Sequence, residues 1–515
     1  AASDVYKRQL LDYSERLVRA LVREIPPGRH RFADAAGDPV LLQVPHGVLP
    51  WPWVRLDGQV YCNVRGDQPP CATAGKAMNG TGEFLLTSAT TLVTMNGSRE
   101  VLTNAWVAAR DGLVTAVGTG PVPGLLDGRP SVGCERFDAA GCVVLPGLVN
   151  THHHLYQTRT RAWRTAVDSE LFPWLRTLYP VWARLDDDDF HRAAVVGCQE
   201  LLRSGCTLTT DHHYLFPRAA SAHLLDIIID AALQTGIRFH PTRGSMSRSV
   251  KDGGLPPDDV VQDPDTILAD CERVIDRWHD PRPGAAVRVA LAPCSPFSVD
   301  PDLMRRTAEL ARRRGVRLHT HLAETRDEND YCTRIYGCRP LDFLESVGWV
   351  GPDVWLAHGI WFDDDEIARL GRAGTGIAHC PSSNMRLGSG ICRVRELRRA
   401  GSPVGLAVDG SASNDSSNLL AELRQTLLLH RVLGGAAAMT VNEVLEMATL
   451  DGARCLGRED AGAVEPGRAC DLAVFDLEAI GYDGADDPVA ALLLCHPEPA
   501  RATIVGGRVV YDRDA

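Results

Sequence analysis

The feature that most constrains this 515-residue chain is a repeat of form rather than of letters. Across 146–451, eight short apolar runs recur, each closing on polar residues and each followed by a helix-like stretch. They are "GLVNTHHH", "CTLTTDHH", "RFHPTRG", "VRVALAPC", "RLHTHLAE", "VWLAHG", "TGIAHCP" and "VGLAVDG". Strands alternating with amphipathic helices call for parallel βαβ units, and eight such units close a barrel. The expected fold is therefore α/β, a (β/α)8 TIM barrel. Its site should gather at the C-terminal ends of the strands, where the polar residues of these runs fall.

The flanks read differently. From Phe84 the chain turns to β-rich runs, "FLLTSATTLVTM" and "AWVAARDGLVTAVG", punctuated by the turn pairs Asn96-Gly97 and Asp111-Gly112. The same texture returns in "CDLAVFDL" and "RATIVGGRVVYD". Both ends should therefore combine into one small β-sandwich, 83–145 supplying its first part and 452–515 its second, with the barrel between them over 146–451. Residues 1–82 stand apart: they hold no Met before Met78 and run through "PPGRH", "LPWPW" and "DQPPC". They are expected to be a fused or non-native leader, with a natural start near Met78.

Composition sets the class of partner. A formal net charge of −12 with no long run of either sign argues against nucleic acid or an anionic membrane and for a small molecule. The 15 cysteines include no CxxC pair, which reads as reduced thiols in a cytoplasmic protein. No apolar run approaches ~18 residues, and no signal-like segment opens the chain.

The first barrel run ends in "NTHHHLYQ", three consecutive histidines. Residues two apart on a strand share a face, so His152 and His154 point one way and His153 the other. Two imidazoles on one face at a strand end make half of a metal site. The fifth run repeats the pair as His319 and His321, with Glu324 three residues further on; the sixth ends in His358 and the eighth in Asp409. A lone HxH is weak support, because a histidine in a strand is more often a hydrogen-bonded core residue. Recurrence at one depth of a repeating unit is what singles these out.

In that order, "PGLVNTHHHLYQ", "HTHLAET", "AHGIWF" and "GLAVDGSASN" resemble the cytosine and guanine deaminase branch of the amidohydrolase superfamily. The resemblance implies a (β/α)8 barrel joined to a β-sandwich made from both flanks. Carried over position by position, it puts one divalent metal ion, zinc or iron, on His152, His154, His321 and Asp409. Glu324 then matches the proton-shuttling glutamate and His358 the histidine that hydrogen-bonds the attacking water. Binuclear relatives bridge two metals through a lysine on the fourth strand; this chain has only Lys7, Lys76 and Lys251, none in "VRVALAPC". One metal is therefore expected.

Further stretches, "APCSPFSV", "YGCRPLDFLE" and "HCPSSNMRLGSGICRVRELRRAG" among them, resemble the bacterial 8-oxoguanine-deaminating members of that branch. The implied reaction is 8-oxoguanine plus water giving urate plus ammonia. Rival readings are deamination of isoxanthopterin, guanine or a hydroxylated triazine and, from another class, a noncatalytic metal-stabilised binding protein. Three residues are candidate purine contacts: Gln157, whose amide both donates and accepts; Cys294, where guanine deaminases carry an Arg-Phe pair; and Arg243, the nearest fixed positive charge. His212 and His213 offer one neighbour to the metal site, His319 is read as core, and His379 is unassigned. The aromatic stretch 163–182 is a candidate lid, and a homo-oligomer is expected from the family.

Overall fold

A computed structural model describes residues 82–122 and 134–515, together with four two-residue strands nearer the start of the chain. The chain divides into two compact units, 1–74 and 75–515. Of the first unit only two antiparallel ladders are described, Gln43–Val44 with Gly47–Val48 and Arg55–Leu56 with Gln59–Val60. The expectation of a leader over 1–82 lies outside the described residues. Among those described, no helix is long and apolar enough to cross a membrane.

In the second unit the eight apolar runs are eight strands. They are β1 (Leu148–Asn150), β2 (Cys206–His213), β3 (Arg238–Ser245), β4 (Ala290–Pro293), β5 (Arg317–Leu322), β6 (Val354–His358), β7 (Gly376–His379) and β8 (Val404–Leu406). They pair in sequence order, every pair parallel, as a (β/α)8 barrel requires. Local chemistry sets the intervening helices. Asp186, Asp300 and Asp363 cap the helices Asp187–Arg203, Pro301–Arg314 and Asp364–Ala373, the last through a reciprocal capping box with Glu366. Gly315 and Gly374 end two of them in the left-handed conformation, at φ of 67° and 68°.

Between β1 and β8 the site residues themselves close the barrel. Thr151 donates from both its backbone N and its Oγ1 to the Leu406 carbonyl, at 3.0 and 2.9 Å, and Asn150 Oδ1 accepts from Val408 N at 3.0 Å. One step on, His153–His154 pairs in parallel with Asp409–Gly410. Below this rim lies an apolar plug that includes Val149, Leu208, Ala290, Trp355 and Ala378. The polar rim thus rests on an apolar floor.

The β-sandwich domain draws on both flanks, as expected. Strands Glu83–Val93, Val101–Arg110, Leu113–Thr119 and Cys142–Pro146 join Leu472–Asp476, Ala502–Val505 and Arg508–Asp512. A register shift between Leu86 and Ala89 divides the first of these strands. Its leading half pairs with Glu135–Asp138 and its trailing half with Cys142–Pro146.

A buried ion pair links the two domains. Arg238, opening β3, meets Asp471 through Nε to Oδ2 at 2.7 Å and a second nitrogen to Oδ1 at 3.0 Å, both side chains almost wholly buried. Removing Arg238 leaves the buried Asp471 carboxylate without its counter-ion, with the Gly506 N–H at 2.8 Å still donating to it. Arg238→Ala should therefore cost about 3–5 kcal/mol of unfolding free energy. Chemical denaturation measures it, and a loss below ~1 kcal/mol would show the pair to be dispensable.

Candidate metal centre and active site

Three strand ends bring the predicted ligands together. His152 and His154 follow β1, His321 lies on β5 and Asp409 follows β8; all four are buried. Close ligand atoms occur in two overlapping groups, His152, His154, His212 and His321, and His152, His358 and Asp409.

The hydrogen bonds decide which nitrogens face the centre. His154 Nδ1 lies 2.9 Å from the His212 carbonyl and His321 Nδ1 lies 2.7 Å from the Cys294 carbonyl. A carbonyl only accepts, so both rings carry their proton on Nδ1 and turn a bare Nε2 inward. His152 Nδ1 meets His319 Nε2 at 2.8 Å, and its own Nε2 has no partner. Burial pushes all three imidazoles below their usual pKa, which keeps them neutral.

Neutral imidazoles with bare nitrogens are a ligand set. His154 Nε2 and His321 Nε2 stand 3.1 Å apart with no proton for either to share. Asp409 Oδ1 lies 3.4 Å from both His152 Nε2 and His154 Nε2. Burial opposes its charge, but the neighbouring His358, the one imidazole here whose own pKa is raised, helps hold Asp409 well below the usual carboxylate range. Four lone-pair donors converging in a buried space repel one another unless a cation sits among them. The residues present therefore fit a divalent metal.

Strain marks the same place. Ala323, His358 and Asp409 adopt φ of 54°, 73° and 62°, in the left-handed region that residues other than glycine enter at a cost of order 1–3 kcal/mol each. Two of these turns carry His358 and Asp409, whose Nε2 and Oδ2 stand 4.0 Å apart. Ser383 Oγ holds Asp409 Oδ2 at 2.6 Å, and Asn384 Oδ1 accepts from His358 Nδ1 at 2.9 Å. Both come from the short helix Pro381–Arg386 after β7. Neither was singled out from sequence, although "CPSSN" at a strand's C-terminal end is the kind of polar run that could have shown them.

Across from the ligands stand the acid–base groups. Burial raises the Glu324 carboxyl to about 7, against the pull of His358. Its Oε2 lies 3.4 Å from His358 Nε2, which is also 4.0 Å from Asp409 Oδ2. Glu324 and then Asp409 raise the His358 pKa against the effect of burial. Glu328, also buried, accepts from Glu324 N at 3.0 Å and so fixes the turn carrying that carboxylate.

One cavity opens on these groups, lined by His154, His321, Glu324, His358 and Asp409 on one side and by apolar residues on the other. Gln157 and Cys294 both line it. Gln157 packs so closely on the end of β8 that a Cβ on Gly410 would collide with its amide oxygen. Burial pushes the Cys294 thiol up to about 12, which keeps it protonated and able to donate. From the 163–182 stretch the helix Leu171–Trp182 brings Trp174 and Tyr179 to the cavity, whereas Trp163 is 37% exposed at the surface.

Arg243 does not reach the cavity. Its guanidinium binds Asp270 at 2.6 Å, Gln262 at 2.9 Å and the Gly244 carbonyl, and lies 3.8 Å over the Phe216 ring. The register explains this: Arg243 pairs with His213, which packs on Phe190 and Phe216 at the helix side of the barrel. Their neighbours Thr242 and His212 take the inner face. His212 stacks on His321 at 4.5 Å and gives its Nε2 proton to the Ala292 carbonyl. His379 is buried beside His430, with 5.4 Å between ring centroids.

Known proteins resemble this chain in sequence and in fold. Residues 143–510 match the model of the amidohydrolase family. The chain is 53% identical over 419 residues to the 8-oxoguanine deaminase of Pseudomonas aeruginosa, covering 79% of this chain and 93% of that protein. It is 40% identical over 432 residues to the hydroxydechloroatrazine ethylaminohydrolase of a Pseudomonas species, covering 82% and 89%. Among solved structures, the zinc complex of the atrazine chlorohydrolase of Arthrobacter aurescens superposes with a TM-score of 0.79 at 33% identity, covering 84% of this chain and 96% of that one.

Proposed function

We propose that this chain, which belongs to the amidohydrolase family, is a metal-dependent deaminase of an amino-purine that converts 8-oxoguanine and water to urate and ammonia. The observation that carries the substrate is the 53% identity to an 8-oxoguanine deaminase across 93% of its length. His152, His154, His321 and Asp409 would hold one divalent ion, with zinc the first choice because it occupies a solved relative. When bound, such an ion supplies the Lewis acidity that brings the pKa of a coordinated water to about 7.

The protein's own groups supply the remaining chemistry. Glu324, between His358 and the cavity, takes a proton from the attacking water and delivers it to a ring nitrogen, making the amino-bearing C2 more electrophilic. His358, held at Nδ1 by Asn384, presents Nε2 toward Glu324 and Asp409 and orients the same water. At collapse the remaining proton of the added hydroxyl passes to the amino nitrogen, the C2 carbonyl forms, and the C–N bond breaks to release ammonia. The Gln157 amide and the neutral Cys294 thiol meet the purine edge, the thiol donating to an oxygen. A noncatalytic binding protein would need neither Glu324 nor His358 in these positions.

The thiol usage suits the cytoplasm, and a homo-oligomer is the expected assembly; no nucleic-acid or membrane partner is invoked. Steady-state assays with 8-oxoguanine, guanine, isoxanthopterin and a hydroxylated triazine test the substrate. We expect kcat/KM for 8-oxoguanine to lead by at least about tenfold, a margin of roughly 1.4 kcal/mol in transition-state binding. A higher value for guanine would reject the assignment.

A further inference from the structure

We propose that His319 is a positioning residue for the metal centre. Through one hydrogen bond it fixes which nitrogen of His152 carries the proton and so keeps His152 Nε2 bare. The inference rests on the reading of His152 as a ligand.

His319 sits on β5 two residues before His321 and is fully buried. Its ring lies flat on Trp355, with centroids 4.3 Å apart and planes 13° from parallel. Its Nδ1 is 2.8 Å from the Trp355 carbonyl. That carbonyl only accepts, so the proton of neutral His319 is on Nδ1 and its Nε2 is a bare acceptor. The bare nitrogen stands 2.8 Å from His152 Nδ1, which must therefore donate. His152 Nε2 is left without a proton and without a partner, 3.4 Å from Asp409 Oδ1.

The relay has a rigid origin. Trp355 belongs to the apolar plug of the barrel and donates from Nε1 to the Thr151 carbonyl at 3.0 Å. Tautomer information thus passes from a backbone carbonyl on β6, through His319, to a ligand after β1. The other two ligand imidazoles need no intermediary, because His154 and His321 donate directly to backbone carbonyls. Of the three, only His152 depends on a side chain for its orientation. A purely packing histidine on Trp355 would be replaceable by an aromatic ring of similar shape. A positioning one would not, because its loss strands the His152 Nδ1 proton in a buried site and frees the ring to turn.

Zinc affinity, measured on folded apo-protein by competition with a chromophoric chelator, tests this without recourse to activity. His319→Phe keeps the stacking and removes the acceptor, and should bind zinc about 10–100-fold more weakly. His319→Gln places an oxygen near the Nε2 position and should recover most of the affinity. His319→Asn mimics only Nδ1 and should not, which preserves the comparison if the Phe variant fails to fold. Equal affinities for the Gln and Asn variants, or wild-type affinity in Phe, would overturn the inference. His152→Ala runs in parallel: if it binds zinc normally, the ligand reading itself fails. If it loses zinc while the His319 variants do not, only the relay fails.

Discussion

Glu324→Gln should keep its metal and lose its turnover. The substitution changes one carboxylate oxygen to an amide nitrogen and preserves the volume in a fully buried position. No ligand of the proposed ion is touched, and Glu324 N still donates to Glu328 at 3.0 Å. What disappears is the group that accepts a proton: an amide neither takes one from water nor gives one to a ring nitrogen. General acid–base catalysis by a positioned side chain contributes roughly 10²–10⁴-fold, so kcat should fall by that factor, equivalent to about 3–5 kcal/mol in the barrier. Elemental analysis should still find one metal per chain, and KM should move much less than kcat. Turnover within tenfold of wild type would remove Glu324 from the mechanism, whatever its carboxyl pKa.

Much of this site could be read from spacing because a barrel converts sequence period into spatial position. Each strand delivers its last polar residues to one rim, so His154, His321, His358 and Asp409 meet although 255 residues separate the first from the last. What spacing does not supply is the register between neighbouring strands. Arg243 ends an apolar run as the ligands do, but which of Thr242 and Arg243 faces the axis depends on the pairing with His212 and His213. That pairing sent the guanidinium to Asp270. A similar limit hid His319. Strand alternation placed it on the face of His321, one layer lower, where it reads as core; only the contact with His152, 167 residues away, shows a polar partner. Ser383 and Asn384 were missed because they act on side chains from β6 and beyond β8, elements brought to them by the closure of the barrel.

The three consecutive histidines should separate cleanly when each is replaced by alanine. His152 and His154 each contribute a bare Nε2 toward Asp409 Oδ1 at 3.4 Å, and removing either leaves at most three protein ligands around a divalent ion. Metal content should fall well below one per chain in both variants, and with it all measurable deamination, since the remaining groups cannot bring the pKa of water down toward 7. His153 differs in kind. Its Nε2 lies 3.0 Å from Ser417 Oγ, on the side of the strand away from the ligands, and its ring is wholly buried. Alternation thus turns it away from the centre without bringing it to solvent, and burial lowers its pKa to about 3. His153→Ala should keep its metal, because the ladder pairing His153 with Asp409 is made by backbone atoms that the substitution leaves in place. It should instead lose about 1–3 kcal/mol of stability, from the lost hydrogen bond and the space left by the buried ring, while Ser417 Oγ keeps its bond to Ser411 Oγ at 3.0 Å. Metal analysis and thermal unfolding of the three variants side by side separate a ligand from a wedge. A metal-depleted His153→Ala that is otherwise fully folded would mean that the central ring, too, helps to shape the site.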